Sequence, residues 1–201
     1  MVFYKKSIVV FVFIFLINIL MTVSAYAYPW KNVRFKVRTK QLPAYCLCAG
    51  HPPPACPSQE TKEKYYRIYG PIFTHMHHYC WGLDKLNIQL QSLKPSAFWL
   101  ENVIHEFDYV LGHKDPKKSI KAEIFTKKAQ VLLMLNKNIE AVNSFLNAIK
   151  FNKRYVPAYF YLSSYLSKIG EKNEACKILK FGIKNNPGSI ILKKRMAVIC
   201  Q

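Results

Sequence analysis

The most constraining feature of this 201-residue chain is that its C-terminal half is written twice. Residues 122–155 lie over residues 156–189 at an offset of 34. Glu140-Ala141 falls on Glu174-Ala175, Phe145 on Leu179, Ala148 on Gly182, Ile149 on Ile183 and Asn136 on Gly170. Repeats of this period are single supersecondary units whose apolar face cannot be buried alone, so they stack, and about three are needed for stability. Within each unit apolar residues recur at helical spacing, small residues let paired helices approach, and Asn136 and Gly170 sit where a hairpin must turn through left-handed φ.

Two further segments extend the helical pattern. Phe73–Gln91 carries Met76, Tyr79, Cys80, Leu83, Leu86 and Leu90 at three- and four-residue steps. Ser96 is placed to cap a helix running to Gly112, with Phe98, Val103, Phe107, Val110 and Leu111 as its stripe. Asp115-Pro116 follows and ends it. Residues 73–118 therefore read as a further helix pair, and residues 190–201 as a final helix whose Lys193, Lys194 and Arg195 cover an outer face.

The residues that alternate small and large, with Tyr159, Leu162, Gly170, Glu174-Ala175, Leu179, Gly182 and Pro187 in one unit and Phe125, Ala129, Glu140-Ala141, Phe145 and Ala148 in the other, resemble the tetratricopeptide repeat (TPR) family. The first unit departs from the family by Lys153 where Pro is usual, and the second by Ser163 at a small position. The resemblance covers 122–155 and 156–189, weakens over 73–118 and is absent before 73. It implies an all-α, right-handed solenoid of helical hairpins, without a cofactor, that holds a protein or peptide segment on the face made by the first helix of each pair. By the family's pattern that face is Glu123, Thr126, Gln130, Leu133 and Met134, then Phe160, Ser164, Ser167 and Lys168. Thr126 and Gln130 stand where carboxylate-clamp members carry Lys and Asn, which disfavours that subclass. Met134 and Phe160 are groove anchors or core residues; periodicity alone does not separate the two.

The start of the chain reads as an export signal. Lys5 and Lys6 precede an apolar run from Ile8 to Leu20, and Ala25-Tyr26-Ala27 supplies an A-x-A cleavage site, so residues 1–27 read as a signal peptide. The alternative is an uncleaved anchor, since Ser7–Val23 is at the short limit for spanning. Either way the bulk of the chain is expected in a periplasm or cell envelope. Thirty Lys+Arg against 11 Asp+Glu give a net charge of +19. That excess either draws the chain to acidic envelope surfaces or reflects only a Lys-rich composition that reports solubility and non-specific association, the second being the preferred reading; export argues against nucleic acid.

Between the signal and the first helix pair, residues 28–72 form a Cys/Pro-rich, loop-like extension. It has an alternating basic stretch (Tyr28–Lys40), then Pro43, Pro52, Pro53, Pro54 and Pro57 with Cys46, Cys48 and Cys56. Glu60–Tyr69 starts a helix that Gly70-Pro71 stops. In an oxidising compartment the cysteines staple the loop. Two pairings fit, Cys46–Cys80 with Cys48–Cys56, or Cys48–Cys80 with Cys46–Cys56. Cys176 and Cys200 are either a bridge or two buried thiols. The alternative use of this region is a metal site on His75, His77, His78 and Cys80, completed by loop cysteines or His51. Catalysis by Cys80 with His77 or His78 would need an orienting acid such as Glu60, Glu63 or Asp84, and no established enzyme motif accompanies it, so the chain is read as a non-enzyme.

Overall fold

The structure is a computed structural model that describes residues 42–49, 56–115 and 120–201. The expected signal peptide (1–27), the basic stretch (28–40) and Pro52–Pro54 lie outside the described residues. All regular structure among the described residues is helical: α1 (Gln59–Tyr69), α2 (Met76–Leu90), α3 (Ala97–Gly112), α4 (Lys121–Met134), α5 (Asn138–Phe151), α6 (Val156–Lys168), α7 (Lys172–Asn185) and α8 (Ile190–Ile199), with 3-10 turns at Ala44–Leu47 and Gly70–His75. The protein is therefore all-α over these segments.

Local chemistry sets the boundaries. Ser58 caps α1 by accepting from the Thr61 amide, and Gly70 ends it at φ 74°. The expected helix from Phe73 starts instead at Met76: Pro71, with no donor, opens a 3-10 turn that runs to His75. Ser96 occupies the N-cap of α3 but its side chain makes no cap bond; its amide donates to Gln89 Oε1 at 2.8 Å. Asp115 caps α4 from outside the helix, its carboxylate accepting from the Ile120 and Lys121 amides.

The stripe expected on α3 needs correction. Leu100, Val103, Ile104, Phe107 and Val110 are buried, whereas Phe98 is 66% exposed. Phe98 lies two residues from Leu100, about 200° around the helix, so it faces solvent. Leu90 is likewise exposed, as the last residue of α2.

The two C-terminal hairpins repeat their main turn bonds. The Lys137 amide donates to Leu132 O and the Glu171 amide to Leu166 O, each at 2.9 Å. Asn136 (φ 58°) and Gly170 (φ 90°) take the left-handed turn beside these bonds. The following turns match too, with Tyr155 donating to Asn152 and Ser189 to Asn186. Successive helices pack in order, and α4 also touches α6, and α6 touches α8. This places α4, α6 and α8 side by side in one layer.

Two buried clusters fill the interior. One joins the stapled turn and α2–α3 to Ile120, Ile124, Val131 and Leu132; the other joins Ala129, Phe145, Tyr159, Leu162 and Leu179 to Leu192 and Ile199. Leu133 packs against both, so α4 is apolar on two sides and couples them. Close approach is built into the sequence at two glycines. A Cβ on Gly82 would fall 2.6 Å from Phe107 Cε1, and one on Gly182 would fall 2.9 Å from Tyr159 Cγ.

Candidate functional site

The staple is resolved. Cys46 bonds Cys80 and Cys48 bonds Cys56, the first of the two pairings that spacing left open. Cys176 bonds Cys200, which ties α8 to α7. With six cysteines in three bridges, no thiol is free, a state that belongs to an oxidising environment.

The first bridge delivers Tyr45 to α4. Tyr45 and Tyr79 hydroxyls donate to the same oxygen, Glu123 Oε1, at 3.0 and 2.9 Å. Burial, and then the Glu123 charge, push both phenols well above their usual range, so both stay protonated donors. Tyr69, edge-on to Tyr45, is pushed up to about 12 by burial and then by Glu123. Glu123 was expected on an open binding face; its carboxylate is instead the anchor that fastens the N-terminal turn and α2 to α4. No local signal could have shown this, because the partners are 78 and 44 residues away.

The rest of the expected face is uneven. Thr126 is only 2% exposed and donates its hydroxyl to Ala122 O inside its own helix, so it is not a groove residue. Gln130, Met134 and Ser164 are half-buried and Lys168 is exposed. Ser164 donates to Phe160 O. Met134 packs against the first cluster. Phe160 packs against the second, with the Arg195 guanidinium 5.3 Å above its ring. The Arg195 Nε is buried and has no hydrogen-bond partner among the described residues.

The histidines do not converge. His78 Nδ1 meets Glu106 Oε2 at 2.6 Å, while Lys85 reaches Glu106 Oε1 and Asn102. His77 Nδ1 lies 3.0 Å from Thr74 O, and His75 stacks on His113 with centroids 3.5 Å apart. Burial works to raise Glu106, but the hydrogen bonds from Lys85 and His78 outweigh it and hold the carboxyl below its usual range. Lost hydration, then the His113 and His78 rings, lower His75; burial and then His78 lower His77. The alternative metal set of His75, His77, His78 and Cys80 fails on its sulfur, which is bonded to Cys46. Among the described residues no three His, Cys, Asp or Glu side chains are grouped to hold a metal ion. For the same reason Cys80 offers no thiolate nucleophile.

A concavity lies elsewhere, over α4 between α3 and α5. This cleft of about 310 Å³ has Ile104, Phe125 and Leu132 as apolar lining and Asn143, Ser144 and Asn147 along one side. Ser144 is committed to Phe125 O. Asn143 and Asn147 are exposed, one helical turn apart, and donate or accept no side-chain hydrogen bond among the described residues. Two ion pairs bound the cleft, Lys137–Glu101 and Lys128–Asp108, and with Glu140 they leave it close to neutral in a chain of +19. The sequence reading missed it because its lining comes from three helices, and no single one of them shows a concavity. No protein-family model matches this chain, and neither does any curated protein sequence.

Proposed function

We propose that this chain is an exported, TPR-like scaffold that grips an extended protein segment in the cleft over α4. In this reading α4–α5 and α6–α7 are two repeats, α2–α3 a degenerate neighbour and α8 the closing helix, with the N-terminal extension pinned by its disulfides. The export side is supported by three disulfides and by the signal-like order of the first 27 residues. The binding side rests on one observation: two free amides beside an apolar trough.

Side chains four apart on a helix stand about 5–6 Å from one another. Same-facing peptide units of an extended strand recur about every 6.6 Å. Asn143 and Asn147 can therefore each satisfy a backbone amide of one extended segment, while Ile104, Phe125 and Leu132 take an apolar side chain between them. The neutral rim selects a neutral, apolar segment rather than an acidic one. The layer of α4 and α6 suits this role less, since Glu123, Thr126 and Phe160 are already engaged.

Peptide display against the full chain, followed by calorimetry, tests this. Selected peptides are expected to be uncharged, with one bulky apolar residue, and to lose about tenfold or more in affinity with Asn143→Ala/Asn147→Ala, as two hydrogen bonds imply. Undiminished binding to that variant, or binding abolished by Gln130→Glu instead, would move the site to the layer of α4 and α6.

A further inference from the structure

We infer that α8 seats the protein on an anionic lipid surface. The helix is apolar on more than the side it buries. Leu192 and Ile199 face the second cluster, yet Ile190 is 68% and Val198 72% exposed, with Ile191 exposed as well. Ile190, Lys194 and Val198 follow at four-residue steps and therefore share one outward stripe; Ile191 stands beside it on the Val198 side and Ala197 and Lys193 on the other. Lys193 and Lys194 are exposed. The charge around this stripe has one sign: residues 150–201 hold 11 Lys and Arg against two Glu.

The chemistry of the stripe selects its occupant. A second copy of the chain would bring the same lysines against these, in the same strongly positive field, which opposes self-association. The stripe is a row of exposed branched aliphatics with lysine among them. A deformable interface accepts such a row: aliphatic groups enter the acyl boundary while lysine stems extend to headgroup phosphates. Anionic headgroups supply the countercharge. The Cys176–Cys200 bridge holds the helix to α7, so the row is presented already formed.

Hydrogen exchange of the full chain, with vesicles of phosphatidylcholine or of phosphatidylcholine containing roughly one third phosphatidylglycerol, tests this at the helix itself. That local readout separates it from membrane contact made elsewhere in the chain. Slowed exchange is expected at residues 190–200 with the anionic vesicles and not with the zwitterionic ones. Lys193→Glu/Lys194→Glu, and separately Ile190→Ser/Val198→Ser, should each raise the lipid concentration needed by at least tenfold, since these side chains are exposed and their loss leaves the melting temperature unchanged. Unaltered exchange with anionic vesicles overturns the inference. So does equal protection by both vesicle types, or protection that grows with protein concentration in the absence of lipid, which would assign the row to a second copy.

Discussion

His75 and His113 lie ring on ring, 3.5 Å apart, a geometry in which the His113 ring opposes protonation of His75. His75 is lowered by lost hydration first, and by the His113 and His78 rings next. Its folded value is thus below the 6.5 it takes in an unfolded chain. The unfolded state binds the proton more readily, so the stability this ring contributes is present above pH 6.5 and is lost as pH falls through the folded value. NMR titration should place the His75 midpoint below 6.5, and His113→Asn should raise it part of the way back. A midpoint unmoved by that substitution would mean the stack does not control the ring. Residues differ in how visible such roles are from sequence. Asn136 and Gly170 announced themselves, because left-handed turns select residue types locally. Glu123 did not, because its role depends on two tyrosines brought from distant segments.

Helix pairing is set by where a side chain has been left out. Gly182 of α7 lies against Tyr159 of α6 and Leu192 of α8, and Ala148 fills the same place in the preceding hairpin. Alanine at position 182 would gain about 1 kcal/mol of helix propensity. Its Cβ, however, would sit under 3.0 Å from a buried ring, an overpacking that costs about 1–3 kcal/mol. Urea denaturation of Gly182→Ala is expected to show a net loss of about 1 kcal/mol. Gly112→Ala, where nothing lies within 4 Å, should be neutral or gain up to about 1 kcal/mol. Equal effects at the two sites would show that propensity, not approach, governs both. At this scale the pattern was legible for whole helices and weakest at their ends. Pro71 converts an expected helical turn to 3-10, and Phe98 is turned away from the stripe that its spacing suggests.

Over the described molecule the covalent staples sit at the two ends. Cys46–Cys80 and Cys48–Cys56 tie the start, and Cys176–Cys200 ties α8; α3 to α6 carry no disulfide. Loops of 34 and 24 residues closed by a disulfide restrict the unfolded chain by about 4 and 3 kcal/mol. Mild reduction is therefore expected to release the ends first. Exchange should accelerate at residues 42–49 and 190–200 while the helices carrying Phe145 and Leu162 stay protected, because their side chains are fully buried in the second cluster. Loss of protection along the whole chain in one step would show that the staples support the centre as well.

The sequence alone determined that this chain would be helical and where it would double back. Periodicity, small residues and left-handed turns act over a few residues at a time, and each is written in the residues it governs. Only the tertiary structure decided which cysteines pair, that Glu123 is an anchor rather than an open groove residue, that Cys80 leaves the histidines without a sulfur ligand, and that the free amides of Asn143 and Asn147 border a cleft. Those outcomes depend on which distant surfaces meet, and packing among several helices, not spacing along one of them, settles that.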